Sequence, residues 1–422
     1  MKDRSRRRAV AWDDATWHIE RFGRVGALAQ RGGKHRGSLM SDLITDWAAR
    51  AESVARDVLA PHADDVDRTG RWPAESVAEL GKSGLLGLTV PLEFGGAGQG
   101  AHTFSAVTRA LAERCASTAM IYLMHVCGTQ VIAAADMFSR REGVLREIAA
   151  GRHLSTLALS EKGSRSHFWA PVSRAVADGD AHRLSARKSW VTSAGIADSY
   201  IVSTRSALAD DRPQAITLYF VPRDAPGFHC DGAWDGLGLR GNASAPMRLD
   251  DVPVPASDRL SAEGEGFTAM MNAALPWFQL GSASVSLGIA QAATAATRQH
   301  MLASRLEHLD QSLSSLMNLR ARLAQMQIAV DTQRAFLEHV ANLMENPGPD
   351  TLLLLLESKA AAGEAALFVT DLALRTCGGA GFSKHLTVER NFRDAQAGRA
   401  MAPTTDALYD FIARTLLDMP LF

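Results

Sequence analysis

Cysteine is scarce in this sequence, and the cysteines that are present lie far apart. The 422 residues include four of them, at positions 115, 127, 230 and 377, and no two form a CxxC pair. Disulfide frameworks and zinc knuckles both need several cysteines at close spacing. We therefore predict no structural disulfide, no metal site and a location in the reducing cytoplasm.

The sequence also lacks a charge imbalance and a long uninterrupted apolar run. It has 45 basic and 46 acidic residues, for a net charge of -1, which gives no electrostatic reason to expect a nucleic acid or an anionic membrane as a partner. The longest apolar stretch, "TLLLLLESKAAAGEAALFV", is interrupted by Glu357, Lys359 and Glu364. Charged residues at these positions predict a buried helix and not a membrane span.

What is present is a pattern that changes from helical to β and back. A chain of this length is expected to form two or three packed units. Residues 1–39 are basic but lack the apolar core of a signal peptide, so we expect a disordered leader. Residues 40–154 have apolar residues at helical spacing, residues 155–262 have short β-rich runs between Gly, Asp and Pro turns, and residues 263–422 return to the helical period. The predicted fold is mainly α, with an N-terminal helical domain, a middle antiparallel β domain and a C-terminal four-helix bundle.

Four motifs follow one another along these units. They are "GLLGLTVPLEFGGAG" (84–98), "KSWVTSAGIADSYIV" (188–202), "GLGLRGNASAPMRLDDVPVP" (236–255) and "CGGAGFSKHLTVERNFRDA" (377–395). Together they resemble the acyl-CoA dehydrogenase superfamily, from about residue 40 to the C-terminus. The resemblance implies the same three-unit fold, FAD bound in a cleft between the β domain and the bundle, and a homo-oligomer, either a dimer or the homotetramer usual in the family.

The resemblance also implies which residues of the β domain bind the flavin. In "SWVTS", Trp190 would lie against the isoalloxazine ring, while Thr192 and Ser193 would offer hydroxyls to its polar edge. Ser160 of "LALSE" would add another hydroxyl from a neighbouring strand. Aromatic faces and short hydroxyls suit a large, flat, amphipathic ring.

Further flavin contacts are implied in the bundle. Gly378, Gly379 and Gly381 form a glycine-rich loop whose backbone N–H groups can approach a phosphate or an adenine closely, in the family on a neighbouring subunit. Thr404 and Asp406 lie where the family has residues near the flavin chain.

One expected contact to the FAD diphosphate is missing. The family usually has an Arg followed by an aromatic residue after the first bundle helix. In "SRLEHLDQ" the expected position carries Glu307, and Arg305 is the nearest candidate to replace the missing Arg.

The carboxylate that removes the substrate proton in the family is missing at both usual places. The common position is Ala402, followed by Pro403, and the alternative position on the first bundle helix is Phe278. Gln279 stands where an Arg usually helps to hold the acyl-CoA, and Ser166, in the atypical loop "SEKGSRSHFW", is the second predicted substrate-binding residue. The catalytic group is therefore unknown from the sequence.

Few side chains are available to replace the missing base. His125 can titrate near neutrality but can equally be a packing residue, and His167, next to Trp169, is an alternative that can equally shape the pocket. Glu161 follows a flavin-facing strand, and we expect a structural role for it.

Three functions follow from these observations. The first is FAD-dependent oxidation of an activated acyl thioester, carried by CoA or a carrier protein, in a specialised pathway with an electron-transfer flavoprotein as electron acceptor. The second is a flavin-dependent monooxygenase on the same scaffold, which would use O2 with reduced FAD or FMN from a flavin reductase. The third is a non-catalytic scaffold, which the retained flavin-binding residues argue against.

Overall fold

The computed structural model describes residues 35–165, 167–208 and 212–422, with side chains from Ile44 onward. Its elements run from helical to β to helical, which confirms the predicted fold class. Helix α1 begins at His35, so the expectation of a disordered leader is wrong for residues 35–39. No proline separates these residues from the following helix, which simply extends through them. The rest of the expected leader lies outside the described residues.

In the part of the chain that the structure describes, the N-terminal domain is formed by six α-helices. A turn of π-helix, Ala55–Leu59, joins the first two, and the second ends at Gly70, whose φ of 68° suits a glycine cap. The helices are α1 His35–Val54, α2 Ala60–Thr69, α3 Ala74–Lys82, α4 Ala101–Ala112, α5 Ala116–Ala134 and α6 Arg141–Ala149.

Helix α5 is the central helix of this domain. Among the described residues it alone has the length and apolar composition of a membrane-spanning helix, but 89% of its apolar window is buried inside the protein. Such burial is typical of a core helix.

The middle domain consists of two small sheets. One has the strand order β1-β4-β5 and the other β2-β3-β7-β6. β1 pairs with β4 in parallel, so the antiparallel prediction is wrong for that pair, whose connection is long enough to cross over. The strands are β1 Ser155–Ala158, β2 Val176–Asp178, β3 Ala181–Val191, β4 Ser199–Arg205, β5 Ile216–Pro222, β6 Phe228–Cys230 and β7 Ala245–Pro255.

The C-terminal domain is a bundle of long helices. A short hairpin of β8 and β9 connects the first two of them, and Gly378 (φ 56°, ψ -133°) kinks the third near its end. The elements are α7 Gly266–Ala269, α8 Leu275–Ala303, β8 Arg305–Leu306, β9 Gln311–Ser312, α9 Met317–Glu345, α10 Thr351–Phe382, α11 Val388–Ala400 and α12 Thr405–Leu416.

One arginine of α11 connects the three domains. Arg393 forms two hydrogen bonds with the carboxylate of Asp67 on α2, at 2.8 and 2.6 Å, and two more with Glu389 of its own helix, at 2.7 and 3.1 Å. It also donates to the carbonyl of Leu237 in the β domain at 3.1 Å. The next residue, Asp394, is buried and accepts from the N–H of Leu239 at 2.7 Å. The bundle is thereby fixed against both other domains.

Candidate active site

The turn at residues 401–406, where α11 ends and α12 begins, is the segment in which the sequence predicts the position of the family's base. Ala402 is half-buried and Pro403 is buried. Thr404 caps α12, because its Oγ1 accepts from the N–H of Ala407 at 3.3 Å. Asp406 is exposed in the first turn of α12. Thr404 therefore has an observed role as the cap of α12, and the contact of Thr404 and Asp406 with a flavin stays a prediction.

A buried lysine, Lys359 of α10, fixes the backbone of this turn by hydrogen bonds. Its Nζ donates to three backbone carbonyls, of Gly398 at 3.1 Å, Met401 at 3.0 Å and Pro403 at 2.8 Å. The side chain is 1% exposed, and burial lowers the pKa of its ammonium group to about 7. In the sequence, the only sign that Lys359 binds the turn is that a charged residue interrupts an otherwise apolar helix.

The β domain brings four of the predicted flavin-binding residues together at the end of β3. Trp190 is 66% exposed, with a φ of 57°, while Thr192 and Ser193 are buried. The hydroxyls of Thr192 and Ser244 lie 3.1 Å apart. The carbonyl of Ser160, at the end of β1, accepts from the residue before Trp190 at 2.9 Å. The result is an exposed indole beside a group of small hydroxyl-bearing residues.

The glycine-rich segment lies in the last turns of α10, at an exposed corner of the bundle, so the prediction of a loop is wrong: Gly378 kinks the helix, which continues to Phe382. Gly378 and Gly379 are exposed, and a Cβ at either would have no other atom within 4 Å. Gly378 is required by its positive φ, and a Cβ on Gly381 would come within 2.8 Å of Cys377. The open space in front of this segment fits the expectation that it approaches a group outside its own chain.

Arg305, the candidate to replace the diphosphate-binding arginine of the family, lies in the hairpin of β8 and β9. Arg305 is exposed and pairs with Asp310 of the same hairpin. Glu307 is also exposed. Arg305 therefore has a local partner, and its contact with a diphosphate stays a prediction.

Glu161 anchors the loop that follows Ser160. It is 4% exposed, pairs with the buried Lys188 at 2.6 Å, and accepts from the N–H groups of Val172 at 2.7 Å and Ser173 at 2.8 Å. Burial alone would raise the pKa of Glu161, but the charge and hydrogen bond of Lys188 outweigh it and hold the pKa below its usual value. All of this supports the expected structural role.

The loop held by Glu161 contacts the C-terminal helix. His167 is exposed and lies edge-on to Trp169, with ring centroids 5.1 Å apart. Trp169 packs against Phe411 at 5.2 Å and Phe422 at 5.3 Å. Ser166, the predicted substrate-binding residue of this loop, lies outside the described residues. Trp169 of this loop therefore forms part of the wall of a cleft near the turn at residues 401–406, which is described below.

His125 has no free ring nitrogen. It is fully buried; its Nδ1 accepts from the N–H of Ser155 at 3.1 Å, and its Nε2 lies 3.0 Å from the carbonyl of Leu86. Burial lowers its pKa to about 4, so the ring is neutral at pH 7. Both nitrogens are used to connect α5 with β1 and with the loop after α3. These contacts correspond to the packing role, and they leave no lone pair for removing a proton from a substrate.

Two adjoining clefts approach the turn. The α8–α10 cleft encloses about 490 Å³ between the start of α8, the end of α9 and the start of α10, with part of it open to solvent. The turn cleft, of about 300 Å³, is bordered by Trp169, Pro403 and Phe411. The clefts share walls formed by Met271, Leu275, Leu352 and Leu356. Among the described residues, no Asp, Glu, His, Lys or Arg lines either cleft.

Gln279, which the sequence predicts to bind substrate, lines the α8–α10 cleft. It is 0% exposed on α8, and neither its Oε1 nor its Nε2 has a hydrogen-bond partner among the described residues. The preceding residue, Phe278, is buried in the core. The predicted alternative base position thus carries a buried aromatic ring, and the predicted arginine position carries an amide without a partner among the described residues.

Three models of acyl-CoA dehydrogenase domains match the chain in order. The N-terminal domain matches residues 44–152, the middle domain residues 156–252 and the C-terminal domain residues 264–417. The chain is 32% identical over 368 residues to the mitochondrial short-chain specific acyl-CoA dehydrogenase of Bos taurus, and the match covers 86% of this chain and 87% of that protein.

Solved structures have the same fold. Butyryl-CoA dehydrogenase from Megasphaera elsdenii matches with a TM-score of 0.84 and 25% identity, over 89% of this chain and 98% of that one. An FAD complex of PigA matches with a TM-score of 0.82 and 19% identity, over 88% and 97% of the two chains, which is a likeness of fold.

The residues at the end of β3 fit an isoalloxazine ring. An indole that is two-thirds exposed leaves a large apolar face uncovered, and a flat ring stacked on it would cover that face. Thr192 and Ser193 lie next to this indole but are buried, so the contact of their hydroxyls with the polar edge of such a ring stays a prediction. With the family matches over all three domains, this fit leads to one conclusion: the chain belongs to the acyl-CoA dehydrogenase family and is an FAD-dependent oxidoreductase.

Proposed function

We propose that the protein oxidises an acyl thioester that carries its own activating group, without a carboxylate from the turn at residues 401–406. The observation that carries this proposal is the lining of the two clefts. The wall next to Ala402 is Pro403, and the described lining residues are apolar apart from neutral amides and one hydroxyl. This lining supports the proposal that no general base stands where the family reaction needs one.

The size of that loss determines the substrate class. Dehydrogenation of a thioester breaks two C–H bonds, one as a proton and one as a hydride, and FAD, when bound, would supply the acceptor for the hydride. A positioned general base contributes roughly 10²–10⁴-fold to such a step, and an apolar cleft holds little water to take its place. A plain alkyl thioester should therefore react poorly, while a substrate with an acidified C–H bond needs less help.

The chain's own residues have supporting roles in this proposal. Lys359 fixes the path of the turn through three carbonyls. Trp190 and Thr192 would orient the flavin, and the apolar walls around Leu275 and Leu356 would keep water out of the cleft. Exclusion of water strengthens every polar contact that the substrate makes inside.

The partners in this proposal are those of an oxidase or dehydrogenase of this family. The substrate would be a thioester of CoA or of a carrier protein, and the electrons would pass to an electron-transfer flavoprotein. The exposed glycine corner around Gly378 supports a homo-oligomer in which one chain completes the cofactor site of another. Light scattering of the purified protein, with and without a Gly378→Val substitution, tests that assembly.

The test of the reaction is anaerobic mixing of the FAD-loaded protein with two matched thioesters. Pentanoyl-CoA has no activating group, whereas the ketone of 2-acetylpentanoyl-CoA acidifies the C–H bond at C2, which is lost as the proton, and leaves C3 with the hydrogen that is lost as the hydride. We expect the flavin absorbance near 450 nm to bleach at least about 100-fold faster with the acetyl compound. Equal rates with both compounds would contradict the proposal.

The alternative activity has its own outcome in this experiment. If neither thioester bleaches the flavin, but reduced flavin and O2 give an oxygenated product, the monooxygenase hypothesis is correct instead. If the purified protein binds no flavin under any condition, the scaffold hypothesis replaces both.

A further inference from the structure

The unpaired amide of Gln279 is unusual for a protein interior. Buried side-chain amides nearly always have at least one hydrogen-bond partner, because burial without one costs free energy. Gln279 has none for its donor or its acceptor, and at 0% exposure it is out of reach of bulk water. An apolar residue at this position would be more favourable for folding alone. The amide is therefore best explained by a partner that is not part of the chain.

The cleft in front of Gln279 provides the space for such a partner. The α8–α10 cleft, which Gln279 lines, comprises about 490 Å³ of space that is partly open to solvent, and its walls also include Met271, Met344 and Leu355. The two methionines are unbranched and flexible, so their side chains can move aside for a ligand. The turn cleft, which has four wall residues in common with the α8–α10 cleft, is bordered by Pro403, next to the proposed reaction centre.

The chemistry of the amide defines the group that it can bind. Its Nε2 donates and its Oε1 accepts, so a ligand satisfies both atoms when it carries a carbonyl and an N–H. A carboxylate would leave Oε1 without a donor and would bring a charge into a cleft where no described residue offers a cation. A ketone or an ester would leave Oε1 unpaired as well.

We infer that Gln279 is a specificity-determining residue that recognises a neutral amide of the thioester ligand. The inference rests on the proposed function only for the nature of the ligand, a thioester. An amide can come from two parts of such a molecule, either from a carboxamide on the acyl group or from an amide in the thiol arm of the carrier. Both present the same carbonyl and N–H to Gln279.

The experiment measures binding and needs no turnover. Isothermal titration calorimetry with FAD-loaded protein uses thioether analogues, which cannot be dehydrogenated as thioesters are. In the first pair, the chain ends either in a carboxamide or in a methyl ketone of the same shape. In the second pair, the thiol arm is either N-acetylcysteamine or its ester counterpart, O-acetyl-2-mercaptoethanol. Because calorimetry measures binding alone, its result can be interpreted even if the protein fails to dehydrogenate either thioester.

We expect the wild type to bind the amide member of one pair roughly five- to hundredfold more tightly than its partner. The pair that shows the preference identifies the source of the amide. Gln279→Met should abolish the preference, and Gln279→Leu serves as a second variant if the first does not fold. Gln327→Met makes the same change on the exposed face of α9, outside the cleft, and should keep it.

A second readout separates ligand recognition from a structural role. If Gln279 supported the fold, Gln279→Met would lower the midpoint of thermal unfolding in the absence of ligand. We expect the midpoint to stay the same or to rise, since the variant no longer buries two unpaired polar groups. The inference is overturned if the wild type shows no preference in either pair, or if Gln279→Met and Gln279→Leu keep it.

Discussion

Two buried polar side chains of this protein have opposite surroundings. Glu161, in the β domain, has a lysine and two backbone N–H groups as partners, all within 2.8 Å. Gln279, at the wall of the α8–α10 cleft, has no partner at all among the described residues. A polar group whose partners belong to its own chain stabilises the fold. A polar group without partners weakens the fold, and its presence points to binding.

The comparison extends to the acids of the two regions. The β domain contains a buried carboxylate that is fully occupied, and the cleft near the turn at residues 401–406 contains none among its described lining residues. Glu161 lies outside both clefts and both of its oxygens accept hydrogen bonds, so it cannot act as the missing general base. Changes in each region should therefore have different consequences, one on rate and one on stability.

The largest effect should come from adding a carboxylate to the cleft. Ala402→Glu places the acid where the family has it, and we expect oxidation of pentanoyl-CoA to rise by roughly 10²–10⁴-fold. Anaerobic flavin bleaching measures the rate. Ala402→Gln, which has the same size without the charge, is the control and should stay at the wild-type rate. An unchanged rate in the Glu variant, with flavin and substrate both bound, would count against the proposed geometry of the turn.

The next largest effect should come from breaking the paired carboxylate of the β domain. Lys188→Met leaves Glu161 buried with an uncompensated charge, and we expect the free energy of unfolding to fall by about 3–5 kcal/mol. Urea unfolding followed by far-UV circular dichroism measures the change. The double variant Glu161→Gln/Lys188→Met should lose less than the single one, because it buries no lone charge. An equal loss in both would show that packing, and not charge, is what matters there.

Lys359 is an intermediate case, since its partners belong to the chain but lie in the turn near the cleft. Lys359→Met leaves three carbonyls without their shared donor, and we expect a loss of about 1–3 kcal/mol in the free energy of unfolding. The ammonium group has a folded-state pKa near 7, below its value in an unfolded chain. The unfolded state therefore binds more protons between about pH 7 and 10, so the wild type gains stability over that range as the pH rises.

The same unfolding experiment tests this pH dependence. Urea titrations at pH 7 and pH 9.5 should show a gain for the wild type that Lys359→Met lacks. Lys82→Met is a suitable control, because Lys82 is an exposed lysine at the end of α3. Parallel pH profiles for wild type and Lys359→Met would exclude a titrating lysine beneath the turn.

The fold was predictable because it depends on patterns that repeat over many residues. Helical spacing from residue 40 onward and the short runs between turns from residue 155 onward indicate the three units without any tertiary information. The parallel pair of β1 and β4 was not predictable, because strand direction depends on pairing between distant segments.

The candidate site was predictable only in part, for a related reason. The residue types of Trp190, Thr192 and Gln279 could be taken from motifs, but their exposure and hydrogen bonding could not. Lys359 finds its acceptors about 40 residues further along the chain. His125 reads in the sequence as a titratable group, and only its two backbone contacts reveal a packing role. Partners that are distant in sequence leave no local signal.

The contacts of Arg393 have a consequence for how this protein could change over time. This guanidinium group joins α2, the β domain and α11 through atoms that are separate from Ala402 and from both clefts. Substitutions in the cleft can therefore accumulate while the relative orientation of the domains is preserved. An ancestral acid could disappear from such a scaffold, and new substrates could be acquired, without any need for the architecture to be rebuilt.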